Sequence, residues 1–107
     1  MKSSEKLKES ISCLSNMSDI LMREGELDFA QSVQDVIHAG RTIQDSDEAL
    51  KEMSFLYRSM HGGAGSFSDY FIWRDNFDDR VEANKEFEIL SQRLWELLGN
   101  NHSTDQP

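Results

Sequence analysis

The sequence has one cysteine, and its only proline is the last of 107 residues. A lone thiol cannot close an internal disulfide, and no Cys/His cluster has zinc-ligand spacing, so neither staple that rescues small domains is at hand. An unpaired thiol also makes a reducing cytoplasm the expected compartment. Long apolar runs are missing too: nowhere do ~18 apolar residues follow one another, which excludes a transmembrane helix. The lysines of residues 1–10 alternate with Glu5 and Glu9 and are not followed by the apolar stretch of a secretion signal. Positive charge is scarce. Eleven Lys+Arg face 20 Asp+Glu, a formal net charge of -9. Such a surface repels nucleic-acid phosphates and anionic membranes and leaves basic proteins as the favoured partners.

What is present suffices for one modest core. The chain is 37% hydrophobic and carries two Trp, two Tyr and six Phe, too apolar for a disordered acidic tail. Residues 1–99 are expected to form a single domain and the polar residues 100–107 a frayed tail. Leu7, Ile11, Leu14, Met17 and Leu21 are spaced 4, 3, 3 and 4, which predicts a first helix over residues 4–24. Cys13, Ile20 and Met22 widen its apolar arc beyond what a surface helix needs, so it is buried on two sides or part of it faces a second copy. Gly25 supplies the stop. A second helix covers residues 27–39 with Phe29, Ala30, Val33, Val36 and Ile37 on one side and Gly40 closing it. Asp45 begins a capping-box spacing with Glu48, and a third helix runs from there to about Met60 with Leu50, Met53, Leu56 and Tyr57 inward. Ala83, Phe87, Leu90, Leu94 and Leu97 define a fourth helix, with Gly99 just past its end and Asp75, Asp78 or Asp79 as cap candidates. The expected fold is all-α, a four-helix bundle-like domain with a long Gly/aromatic-rich connection between helices 3 and 4.

That connection, residues 61–78, is longer than a helix–helix link usually is. It contains Phe67, Tyr70, Phe71, Trp73 and Phe77, a density of rings that predicts a short turn or extended piece plugging one end of the bundle. Trp95 and Phe55 lie off their helical stripes and are expected to pack beneath it. The glycines Gly62, Gly63 and Gly65 fail each catalytic template. A phosphate loop needs a lysine that is absent here, the dinucleotide fingerprint needs a preceding strand, and a nucleophile elbow at Ser66 would need glycine where Ser68 stands. A turn is the better reading, with Ser66 or Ser68 able to cap a helical turn after it. His38, His61 and His102 have no His or Cys partner at helical spacing, and His38 and His61 fall where helices end. Asp75-Asn76-Phe77-Asp78-Asp79 departs from a calcium loop, with Phe77 at a ligand position and Arg80 where glycine is required. Cys13 reads as a small buried hydrophobe. Neither cofactor, metal nor enzymatic activity is expected.

The charge is segregated. Residues 19–48 carry a net of -6 and residues 75–88 a net of -4, while the remainder sums to +1. Acid next to an aromatic-rich loop suits steering and then anchoring of a basic protein, which selects Asp69, Tyr70, Trp73, Asp75, Asp78, Asp79 and Glu82 as candidate contact residues. Over residues 56–99, the run Gly63-Ala64-Gly65-Ser66-Phe67-Ser68-Asp69 and the acidic Leu-rich helix after it resemble a family of small, largely helical, uncharacterised bacterial proteins with a Gly-x-Gly-Ser-apolar-polar-Asp core. Proteins of this kind are similar in character to immunity proteins of bacterial toxin systems, including contact-dependent inhibition. That resemblance implies a protein that binds and blocks a cognate toxin, often a basic nuclease. The alternative is a helical oligomerisation or adaptor module, a homodimer joined through the first helix near Leu14 and Ile20.

Overall fold

A computed structural model of the chain describes residues 1–61, 67 and 70–99. The expectations placed on Gly62, Gly63, Gly65, Ser66, Ser68, Asp69 and the tail 100–107 lie outside the described residues. The architecture is all-α, with helices α1 (Ser3–Arg23), α2 (Leu27–Thr42), α3 (Ser46–Ser59) and α4 (Phe77–Leu94), the last running into a π-helical turn, Trp95–Gly99. No strand occurs among the described residues.

α1 is the hub, packing on α2, α3, α4 and the π-helical turn. This explains its wide apolar arc: Leu14, Met17, Ile20 and Leu21 are buried by the chain's own helices, including the two positions from which a dimer seam would be drawn. Met22 is the large apolar side chain of α1 that stays exposed. Val33, Val36 and Ile37 of α2, Leu50, Met53 and Tyr57 of α3, and Leu90, Leu94, Leu97 and Leu98 of the last segment complete one contiguous core. Each of the Val, Ile, Leu and Met side chains among them is worth about 1.5–3 kcal/mol on full burial. Ser18 is buried where α1 meets α2 and accepts a 2.8 Å hydrogen bond from the Gln34 amide, so the polar atom in that seam is paired.

Helix ends follow their capping chemistry. Gly25 has φ +79°, and the turn it makes lets the Glu26 N–H donate to the Leu21 carbonyl at 2.8 Å. Asp45 accepts from the Glu48 N–H at 2.9 Å and begins α3. Gly40, in contrast, does not close α2, which continues to Thr42. A Cβ at Gly40 would stand 2.6 Å from the Met53 sulfur and 3.3 Å from Ile11 Cδ1, so glycine there permits close approach of three helices.

Two bidentate ion pairs tie distant segments to α1. Arg93 on α4 grips both carboxylate oxygens of Glu9, with Nη2 to Oε1 at 2.8 Å, and also reaches Glu96. Arg74, which precedes α4, forks onto Glu24 at 2.9 and 2.7 Å. Hydrogen bonds from these arginines are the main reason that the Glu9 and Glu24 carboxyls are held below the usual glutamate value of 4.5. The unfolded chain therefore binds more protons in acid. The stabilisation is full above the unfolded glutamate pKa and disappears as pH falls through the lowered folded values. The thermal midpoint is expected to drop as pH falls through and below the usual glutamate value of 4.5, and Glu9→Gln with Glu24→Gln to flatten that profile; an unchanged pH slope in the double variant would count against these pairs.

Candidate functional site

The candidate site is built on residues 70–76, a strap outside helix and strand that is held against α4. Burial alternates along it. Tyr70 and Ile72 turn inward, whereas Phe71 and Trp73 stay 56% and 59% exposed. The ring-rich segment thus plugs the bundle with only some of its aromatics. Phe67 is buried against Phe29 and Phe87, with centroids at 5.2 and 5.7 Å, and Tyr70 packs on the same two rings at 5.4 and 5.5 Å. Phe77 begins α4 and is 67% exposed.

A strap outside any sheet still needs partners for its backbone polar groups. Asn84 of α4 supplies them. Its Oδ1 accepts from the Ile72 N–H, and its Nδ2 donates to the Ile72 carbonyl, both at 2.8 Å and buried. The same Nδ2 donates to the Arg80 carbonyl at 2.8 Å, which fixes the amide's orientation. The neighbouring residues are then ordered one by one. Arg74 reaches Glu24, and Arg80 donates from Nε to the Arg74 carbonyl at 3.0 Å and lays its guanidinium 3.8 Å from the Trp73 ring centroid. The Trp73 indole N–H donates to Asp75 at 3.2 Å. The α4 cap is Asn76, not Asp75, Asp78 or Asp79: its side chain accepts from the Asp79 N–H at 3.0 Å.

Of the candidate contact residues, Trp73, Asp75, Asp78, Asp79 and Glu82 are exposed around the start of α4. Asp78 and Asp79 lie in its first turn, where the helix dipole favours negative charge. Tyr70 is only half-buried, with its ring in the aromatic core. Burial, then the nearby Glu26 and Glu24, pushes its hydroxyl up to about 12, so it stays protonated. Asp69 lies outside the described residues. Among the described residues the ion pairs are Arg74 with Glu24 and Arg93 with Glu9 and Glu96, so the acids of the first turns of α4 have no ion-pair partner there.

Farther along α4, Asn84, Glu88, Ser91 and Trp95 recur at 4, 3 and 4, a second stripe beside the core stripe. Glu88 and Ser91 stand where bulky apolar residues would fill the space. A groove of about 680 Å³ results, walled by His61, Phe67, Tyr70, Phe71, Phe87 and Trp95. His61 closes it at the end of α3, with Nδ1 2.8 Å from the Tyr57 carbonyl oxygen and its ring against Tyr57, Phe67 and Trp95. Trp95 rests on Gly99, where any Cβ would overlap the indole, so this glycine lies inside the π-helical turn and not beyond a helix end. Phe55 does not pack beneath the aromatic segment; it is 58% exposed on α3.

Other sequence candidates have structural settings. Cys13 is half-buried, and its thiol is pushed up by burial first and then by Glu9, away from nucleophilic character. Asp78 and Asp79 belong to a helical turn and not to a cation loop, and no three His, Cys, Asp or Glu side chains converge as a metal site among the described residues. No helix among the described residues is long and apolar enough to cross a membrane. Asn84 and Glu88 were missed by periodicity, although a polar residue one step from Ala83 and three before Phe87 sits at core register, and that was the available signal. No protein-family model, curated protein or solved structure matches the chain.

Asn84→Ala removes both partners of Ile72 and leaves buried polar groups unpaired, an expected loss of about 2–4 kcal/mol in urea unfolding. The Trp73 indole should at the same time lose its ordered environment. A loss below about 0.5 kcal/mol would show that the strap is held by its apolar contacts alone.

Proposed function

We propose that the chain is a non-enzymatic, immunity-type binding protein that neutralises a cognate basic toxin, such as a nuclease, through the acidic face around Trp73 and the first turns of α4. The observation that supports this reading is withheld charge compensation. Asp78, Asp79 and Glu82 are exposed, without an ion-pair partner among the described residues, beside the exposed rings of Trp73 and Phe77. The nearby arginines are engaged internally, Arg74 with Glu24 and Arg80 on Trp73. Exposed acid steers a basic protein over a Debye length of roughly 8–10 Å, and aromatic anchors then supply contact energy.

Self-association through this face is disfavoured, because it would set like charges against one another. Its apolar members, Phe77 and Val81, lie among carboxylates, a mixture better suited to a partner of opposite sign. The chain is expected to capture a basic protein encoded beside it, with affinity falling as salt rises. Combined Asp78→Asn, Asp79→Asn and Glu82→Gln should slow association roughly tenfold or more at low salt, with the helical circular dichroism intact. Failure to capture such a protein, or binding indifferent to salt, would refute the proposal.

A further inference from the structure

The groove between the strap and the second stripe of α4 has a chemistry distinct from the acidic first turn. Aromatic rings make up most of its lining, and the π face of such a ring carries negative quadrupole potential. Glu88 lines it and also borders the two smaller depressions along the same helix, one with Phe71, Arg80 and Val81 and one with Lys85, Ile89 and Arg93. Its carboxylate is exposed and has no ion-pair partner among the described residues. No lysine or arginine lines the groove among the described residues. The neighbouring surface already holds one guanidinium in this manner: Arg80 lies over the Trp73 ring at 3.8 Å while its Nε–H is taken by the Arg74 carbonyl.

An aromatic lining with one carboxylate among its residues suits a planar guanidinium, which can stack through its face and fork onto a carboxylate through its N–H groups. An ammonium has no such plane. At about 680 Å³ the groove is large enough for an arginine together with adjoining backbone. We infer that it receives an arginine side chain of the basic partner, paired with the Glu88 carboxylate and lying against Phe71 and Trp95. This assignment rests on the reading of the chain as a binder of a basic protein, and it names the group that reaches farthest into it.

The test uses the full chain and N-acetyl-arginine amide as probe, with the Trp95 indole resonance as readout and N-acetyl-citrulline amide as the neutral isostere. Saturable shifts at Trp95 are expected with the arginine probe at millimolar concentration, with the citrulline probe roughly fivefold weaker or worse. Glu88→Gln should remove that preference, and Phe71→Ala should weaken both probes. Asp78→Asn with Asp79→Asn should leave the titration unchanged. Glu88 is exposed, so its variant is expected to keep the parent melting temperature, which separates loss of binding from loss of fold. Equal response to the two probes, or an undiminished arginine preference in Glu88→Gln, overturns the inference while leaving capture of a basic protein through the first turn of α4 untouched. The converse result is also readable: arginine preference in the groove with no basic protein captured removes the partner and keeps the groove's selectivity for guanidinium.

Discussion

One carboxamide holds the candidate face together. Asn84 offers Ile72 both an acceptor for its N–H and a donor for its carbonyl, as a neighbouring strand would, so the strap can lie on a helix without a sheet. Each hydrogen bond is worth about 1 kcal/mol net, but leaving the buried N–H and C=O unpaired would cost more. The register this sets decides everything downstream: Phe71 and Trp73 point out, Ile72 points in, Arg74 falls within reach of Glu24, and the strap becomes one wall of the aromatic groove.

The distribution of charge follows from the same geometry. Arg93 pairs with Glu9 of α1, Arg74 with its C-cap Glu24, and Arg80 lies on Trp73, so these three arginines are engaged away from the acids of α4, while Lys85 stands exposed on α4 without an ion pair among the described residues. Asp78 and Asp79 have a local rationale in the helix N-terminus. Glu82, Glu86 and Glu88 lie beyond the first turn and have no such rationale, and among the described residues none has an ion pair. Acid left without an internal partner beside exposed aromatics is available to a basic partner, which is why it carries the functional proposal.

Most of the helical architecture was legible in the residues. The 4, 3, 3, 4 spacing in α1 and the Leu-rich stripe of α4 place their core residues correctly, because a helix must bury one face and only one period does so. Glycine was less informative. Gly25 stops a helix, as its backbone freedom suggests, but Gly40 and Gly99 lie inside helical segments, since glycine also permits close packing and periodicity cannot separate the two uses. The start of α4 was hidden because Phe77, Asp78, Asp79 and Arg80 form no apolar stripe there. Phe55 was misplaced because an off-stripe aromatic has no helical face to predict its partner.

The sequence by itself determined the helix count, the core stripes, the segregation of acid into two stretches and the concentration of rings between α3 and α4. These are local quantities, set by spacing and composition. Only the tertiary structure decided which rings face water, which arginines are engaged, and that Asn84, Glu88 and Ser91 shape the strap and the groove. Those outcomes depend on pairings across the fold, such as Arg74 with Glu24 and Arg93 with Glu9, and no local period encodes the partner of a side chain that lies dozens of residues away.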